Sequence, residues 1–225
     1  MQHEGGPPDA GRVDPRISAR MWEKLQHDSL RDVLLRASVF VTGFELLRHS
    51  VVLAPNAVAI GERDEVEPHH MKFTQFVDGR LVTTKEYLRH LEPFLEPGKR
   101  PDYYLAGGRW LASLGVISSD EVLELLELRK YRNRLAHELQ RFLLDPDVDL
   151  DLRLHSRLTA LYGRIERWRV RVDMSLYEEY AGVDLPDHEI ASGTLLVLQL
   201  LEEALSSREE RAGSSSPVTP RGDET

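Results

Sequence analysis

A short stretch of the chain, LRKYRNRLAHEL from Leu128 to Leu139, brings together side chains that can do chemistry. His137 can accept or release a proton at neutral pH, because an imidazole has a pKa of about 6.5. Arg132 can hold an anionic group and stabilise negative charge that develops on its oxygen atoms. A proton-transfer group and an anion-binding group therefore lie within one short stretch, and Asn133 is a further polar residue beside them.

The motif falls within a predicted helix from Ser118 to Leu144. Ser118 and Glu121 form a capping-box pattern at its start, and Asp145-Pro146-Asp147 ends it. We expect one face of this helix to pack against the core, and its members are Leu125, Leu128, Leu135, Leu139 and Phe142.

Arg132 has an unusual position on this helix. It falls within the apolar face, so we expect its charge to reach a partner, because an unpaired buried charge is costly. Arg132 and His137 are about 140° apart on an ideal helix. Either the long arginine side chain wraps round the helix, or the working site takes its groups from two chains.

Basic residues surround the motif although the chain as a whole is acidic. The 38 acidic residues outnumber the 29 Lys and Arg residues, which gives a net charge of −9. Residues 129–171 nevertheless hold eleven basic residues against six acidic ones. The candidate phosphate-binding residues are Lys130, Arg134 and Arg141 near His137, and a ribbon on the next predicted helix formed by Arg153, Arg157, Arg164, Arg167 and Arg171.

Each of these basic groups has an alternative interpretation. Lys, Arg and His are favoured in the C-terminal half of any helix, so the residues near His137 fit a solvated helix face. The arginine ribbon could instead pair with acidic residues of the same fold, such as Glu202, Glu203, Glu209 and Glu210.

The remaining sequence predicts an all-α bundle that carries a small β-hairpin. A seven-residue stripe predicts a first helix over 17–52, stopped by Pro55, and Asp78-Gly79 predicts a tight hairpin turn. Further helices are expected from Thr84, over 103–114, over 152–179 and over 187–211, with Asp187-His188-Glu189 capping the last. Gly107-Gly108 permits close helix approach. We expect one domain over 15–212 with an insertion at 61–82, between disordered tails at 1–14 and 213–225.

Composition excludes several classes of site and protein. The chain has no cysteine, which excludes disulfide frameworks, thiolate catalysis and thiolate zinc sites. His69-His70 has no further ligand at helical spacing, so we expect neither a metal nor a cofactor. The N-terminus has no apolar signal region, and the longest nearly unbroken apolar run, Leu195 to Leu201, is far short of the ~20 residues of a membrane span. These features predict a soluble, cytoplasmic protein with no membrane partner.

Arg132, Asn133 and His137 together spell R-N-x-x-x-H, which resembles the R-x-x-x-x-H signature of the HEPN superfamily. The context is similar too, since the motif lies on a long helix late in a small α-bundle. The resemblance spans roughly Ile17 to Arg211, with the hairpin region as an insertion. It implies a HEPN-like fold, a homodimer whose two motifs share a cleft, and Arg132 and His137 as the catalytic pair with Asn133 beside them.

Many HEPN proteins are metal-independent RNA endonucleases that act as toxins or as antiviral defence effectors. The resemblance therefore implies an RNA substrate, bound by the basic residues named above, and in some systems an antitoxin or companion protein. RNA suits the residue types, because its 2′-hydroxyl can attack the adjacent phosphate and leave a 2′,3′-cyclic phosphate. The alternative is a non-catalytic HEPN-fold dimer that serves as a binding or regulatory module. A third possibility is a helical protein in which the motif arises by chance.

Overall fold

The computed structural model describes residues 15–61, 75–77, 80–180, 183 and 185–214. These residues form seven α-helices and one two-stranded antiparallel sheet, which agrees with the predicted all-α class. In chain order the elements are α1 (Pro15–Lys24), α2 (His27–Gly61), β1 (Gln75–Val77), β2 (Arg80–Val82), α3 (Lys85–Leu91), α4 (Tyr103–Ser113), α5 (Ser119–Leu144), α6 (Leu152–Ser175) and α7 (Gly193–Ser214). Short 3₁₀ turns follow α3, at Glu92–Phe94, and α6, at Glu178–Tyr180.

Helix α2 is the central element of the bundle and packs against α4, α5, α6 and α7. Its predicted apolar stripe lies in the core, and the buried members are Ala37, Phe40, Phe44, Leu47 and Val51. The segment His27–Val58 is apolar and long enough to cross a membrane by length and composition. Since just over half of its most apolar window is buried within the bundle, packing inside the protein accounts for much of this hydrophobicity.

The predicted first helix, 17–52, is wrong in its continuity and in its end. The chain leaves the helical path at Leu25 and Gln26, so that α1 and α2 are separate helices. Pro55 lies inside α2, which continues to Gly61. A proline removes the hydrogen bond that would reach the carbonyl four residues earlier, here that of Val51. This carbonyl faces α4 at Gly107, where α2 and α4 approach each other closely.

Local signals located most of the other element boundaries. The strands pair in antiparallel register, Gln75 with Val82 and Val77 with Arg80. Thr84 caps α3 by accepting a hydrogen bond from the Tyr87 amide, 3.2 Å away. At α5 the predicted capping box between Ser118 and Glu121 is present in both directions.

The predicted start of the last helix at Asp187 is wrong. Residues 187–189 form a turn, and α7 begins at Gly193, where the Ser192 hydroxyl accepts a hydrogen bond from the Leu195 amide. The Asp187 carboxylate does not cap a helix, because it forms ion pairs with Arg167 and Arg171 of α6. Helix α6 is also shorter than predicted and ends at Ser175.

Several predictions fall on residues that the structure does not describe. These are the N-terminal tail at 1–14, the hairpin turn at 78–79, His69-His70 and most of the insertion at 61–82. The C-terminal tail, predicted over 213–225, lies outside the described residues from 215 onward, whereas 213 and 214 are the last residues of α7.

Candidate active site

Helix α5 carries the motif and is fixed on the core by its apolar face. Leu125, Leu128, Leu135 and Phe142 are buried as predicted, and Leu139 is partly buried against them. Tyr131, one residue before the motif, is also buried, and its hydroxyl accepts a hydrogen bond from the Asp151 amide at 2.8 Å. The backbone that presents Arg132 and Asn133 is therefore held on both its N-terminal and its C-terminal side.

Arg132 reaches a partner, as predicted from its place in the apolar face. Its Nη2 lies 2.6 Å from Oε1 of Glu45 on α2, and its Nη1 lies 3.4 Å from Oδ1 of Asn133. The Nε atom is buried, and no hydrogen-bond acceptor among the described residues meets it. About 31% of the Arg132 side chain remains exposed. The guanidinium is thus oriented by an acid on α2 while part of it still faces solvent.

His137 has different surroundings from Arg132. Its side chain is exposed, and within the described parts of the chain it makes neither a hydrogen bond nor an ion pair. The next residue, Glu138, has φ −121° and ψ 22°, which departs from helical values and marks a kink in α5. His137 is therefore the last regular residue of the first part of α5, with its ring nitrogens available to a ligand.

The basic residues around His137 are exposed but differ in their contacts. Lys130 makes no ion pair with any described residue, whereas the Arg134 guanidinium lies 5.5 Å from the centre of the Phe142 ring. Arg141 follows the kink and pairs with Glu138 at 3.0 Å. Lys130 is thus the most available cation of this group.

All five arginines of the α6 ribbon already have acidic partners. Arg157 and Arg164 contact α5, whereas Arg153 contacts the N-cap of α6 and the last two contact the turn at 187–189. The acidic partners are Asp151 for Arg153, Glu124 and Glu127 for Arg157, Glu121 for Arg164, and Asp187 for Arg167 and Arg171. Pairing within the fold was the alternative interpretation, although it named acids of the last helix instead of these residues. Exposed ion pairs are weak, so RNA binding by the ribbon stays a prediction.

Sequence reasoning missed the acid that holds Arg132. Glu45 lies between Phe44 and Leu46 in an apolar helix, and it is the only acidic residue between Asp32 and Glu62. An isolated acid in one apolar helix and an isolated arginine in the apolar face of another are a signal that the two side chains pair. The second carboxylate oxygen of Glu45 pairs with Arg48 at 3.3 Å, so Arg48 also belongs to this network.

The described residues include no group of three or more His, Asp and Glu side chains placed to hold a metal ion. Comparisons of the chain with protein-family models, with curated proteins and with solved structures returned no match. The resemblance to the HEPN superfamily therefore stays a prediction, and the function must be argued from the site itself.

Proposed function

We propose that this chain is a metal-independent RNA endonuclease of the HEPN type, with Arg132, Asn133 and His137 as its catalytic residues. The observation that carries the proposal is the contrast between the two ends of the motif. The Arg132 guanidinium is fixed by Glu45 and Asn133 at the edge of the core, and the His137 imidazole is exposed without a partner among the described residues. A fixed cation and an available acid–base group are what cleavage of a phosphodiester requires.

In the proposed reaction the imidazole of His137 accepts the proton of the RNA 2′-hydroxyl. The 2′-oxygen forms a bond to phosphorus, and the bond from phosphorus to the 5′-oxygen breaks. That oxygen takes up a proton from water, and the His137 imidazolium returns its proton to the solvent, which leaves a 2′,3′-cyclic phosphate and a 5′-hydroxyl as products. Arg132 stabilises the charge on the two non-bridging oxygens, and the Asn133 amide, whose oxygen accepts from Arg132, keeps its N–H groups for the phosphate.

We further propose that the working site is formed by a homodimer. Arg132 is bonded to α2, whereas His137 lies five residues later, about 140° round α5 and about 7.5 Å along its axis. The Arg132 guanidinium and the His137 imidazole of one chain therefore face different regions of solvent. If two copies of α5 meet near a two-fold axis, Arg132 of one chain can face His137 of the other.

The proposed cellular role is that of a toxin or antiviral defence effector in the cytoplasm, controlled by an antitoxin or companion protein. A second candidate is a non-catalytic dimeric binding or regulatory module with the same motif. Ion pairing favours this second candidate, because Glu45 neutralises Arg132 and acids neutralise all five ribbon arginines. Expression in cells separates the two, since an active endonuclease arrests growth and a regulatory module does not.

The direct test is cleavage of a mixed RNA pool by purified protein in EDTA. We expect cleavage by the unchanged protein, cyclic-phosphate ends on the products, and loss of at least 10²-fold in rate for Arg132→Ala and for His137→Ala. His188→Ala is the matched control, because His188 is another exposed histidine. Circular dichroism verifies that each variant is folded. Undiminished cleavage by both motif variants would overturn the assignment of the site.

A further inference from the structure

A second basic feature lies next to the motif and was not identified from the sequence. An open cleft of about 420 Å³ lies among α2, β2, α5 and the segment that leads into α4. Three arginines from three separate elements line it: Arg48 of α2, Arg100 before α4, and Arg129 of α5. Its volume is within the range of about 300–1,000 Å³ that is common for ligand sites.

The described residues around the cleft carry an excess of positive charge. Asp102 accepts a hydrogen bond from Arg129 at 2.7 Å, and Glu45 is shared between Arg48 and Arg132. Arg100 is exposed and makes no ion pair with any residue that the structure describes. Four guanidinium groups therefore face two carboxylates, so this region attracts anions although the whole chain carries a charge of −9.

The wall of the cleft is aromatic. Tyr104 is buried, its hydroxyl donates to the Leu125 carbonyl at 3.3 Å, and the Arg129 guanidinium lies 5.7 Å from its ring centre. Tyr103 is half-buried and also lines the cleft, so part of its ring is open to a ligand. Arginines that bind phosphate beside an accessible aromatic ring are the usual elements of a site for single-stranded nucleic acid.

We propose that this cleft binds single-stranded RNA next to the bond that is cut, with Arg100 and Arg129 on a phosphate and Tyr103 stacked on a base. The inference rests on the proposed function and supplies its substrate-binding surface. Glu45 connects the two regions, because one carboxylate bonds Arg48 in the cleft wall and Arg132 in the motif. A strand in the cleft therefore brings its backbone towards Arg132.

The test measures binding separately from cleavage. In a His137→Ala background, which we expect not to cut RNA, the affinity for a labelled ten-nucleotide single-stranded RNA is followed by fluorescence anisotropy. Arg100→Ala should weaken binding severalfold and make the salt dependence shallower by about one unit of slope. Tyr103→Ala should weaken binding about tenfold with little change in the salt dependence, because stacking involves no counterion release.

Arg31→Ala is the matched control. Arg31 is an exposed arginine on the same helix as Arg48, makes no ion pair with any described residue, and lies about 25 Å along the axis from it. Equal loss of affinity in Arg31→Ala and Arg100→Ala would overturn the proposal, because binding would then be a general effect of charge. Unchanged affinity in both Arg100→Ala and Tyr103→Ala would also overturn it.

The experiments give different results if the assignment of the cleft is wrong and if the proposed function is wrong. If the unchanged protein cuts RNA but neither cleft variant alters binding, the endonuclease proposal stands and the cleft assignment is wrong. If RNA binds through Arg100 and Tyr103 but no cutting occurs, the cleft stands and the endonuclease proposal fails. Binding of poly-glutamate in place of RNA, with the same dependence on Arg100, would show a site for an acidic protein segment and overturn the RNA assignment.

Discussion

Arg132 is held by a single carboxylate, and this contact gives Glu45 a role in positioning. Glu45→Gln removes the charge but keeps a hydrogen-bond acceptor, so the Arg132 guanidinium loses its main restraint while the core stays filled. We expect kcat for RNA cleavage to fall about tenfold, with little change in KM. A misplaced guanidinium loses more of its stabilisation of the transition state than of its binding to the substrate. Steady-state kinetics with a short RNA substrate measures both constants.

Glu127→Gln is the control for this prediction. Glu127 of α5 also pairs with an arginine, Arg157 of α6, and the structure shows no hydrogen bond or ion pair from Glu127 to Arg132, Asn133 or His137 among the described residues. Removal of the Glu127 charge should leave kcat unchanged. Equal kinetic constants for Glu45→Gln and the unchanged protein would show that Arg132 does not depend on Glu45.

His155 is a buried histidine that should make the stability of the fold depend on pH. It is 8% exposed, and no acceptor or donor among the described residues meets its buried Nε2. Burial, and then the charge of Arg36, lower the pKa of His155 from 6.5 to about 4, while Asp151 opposes this effect. Between these two pKa values the unfolded chain binds a proton that the folded chain does not bind. The free energy of unfolding should therefore fall as the pH drops below 6.5.

We expect a loss of about 2 kcal/mol from this residue between pH 7.5 and pH 5. Urea denaturation at the two pH values measures it. His155→Leu removes the titrating group from an apolar site beside Phe40, so its stability should change less over the same interval. His188→Leu, at an exposed histidine, should keep the full pH dependence. Identical pH dependence in His155→Leu and the unchanged protein would contradict the prediction.

At the scale of elements, the close approach of α4 to α2 depends on a glycine. A Cβ atom at Gly107 would lie 2.6 Å from the backbone oxygen of Val51, which cannot move without displacing α2. We expect Gly107→Ala to lower the free energy of unfolding by about 1–3 kcal/mol, as overpacked cores do. The change in the urea midpoint measures this loss.

Gly163→Ala is the matched substitution for this prediction. At Gly163 the nearest atom to a Cβ would be Nη1 of Arg167, 3.2 Å away at the end of a flexible side chain. Alanine is also the better helix former by up to about 1 kcal/mol. We expect this variant to be as stable as the unchanged protein or slightly more stable. A Gly107→Ala variant of the same stability would show that α4 can shift away from α2 at little cost.

Features of the helices that depend on neighbouring residues were predicted correctly, whereas features that depend on distant segments were not. The capping box at Ser118 and the cap at Thr84 were predicted correctly, since each signal lies within four residues of its helix start. The helix end at Pro55 and the helix start at Asp187 were predicted wrongly, because segments distant in sequence act at both positions. Helix α4 packs against α2 at the Val51 carbonyl, and two arginines of α6 pair with Asp187. The need of Arg132 for a partner was predictable, but its partner, 87 residues earlier, was not identified.

At the scale of the whole molecule, the structure alters the case for a homodimer. A seven-residue apolar stripe such as that of α2 can pack against a partner chain, but its members from Ala37 to Val51 are buried within the same chain. Among the side chains that the structure describes, α7 instead carries a row of exposed apolar residues: Leu196, Val197, Leu200 and Leu201. A dimer could therefore form through α5 or through α7, and only the first would bring two motifs together.

Light scattering together with one substitution distinguishes a dimer interface on α5 from one on α7. For the proposed dimer we expect a mass of twice 25.7 kDa at micromolar concentration. Leu200→Glu places a charge in the exposed row on α7 and should leave this mass unchanged. A monomeric Leu200→Glu variant would assign the interface to α7, and an active protein with the mass of one chain would show that one chain suffices.

Mixing two inactive variants tests whether the site takes Arg132 from one chain and His137 from the other. A hybrid of Arg132→Ala and His137→Ala retains one intact arginine and one intact histidine, on different chains. If these two residues work across the two-fold axis, the mixture should regain part of the activity that each variant lacks alone.

The control mixes unchanged protein with a variant that carries both substitutions, since this hybrid keeps its intact pair on a single chain. We expect that control hybrid to be inactive, so that cleavage falls with the square of the fraction of unchanged chain. Activity that falls only in linear proportion, without recovery in the first mixture, would place the working pair within one chain.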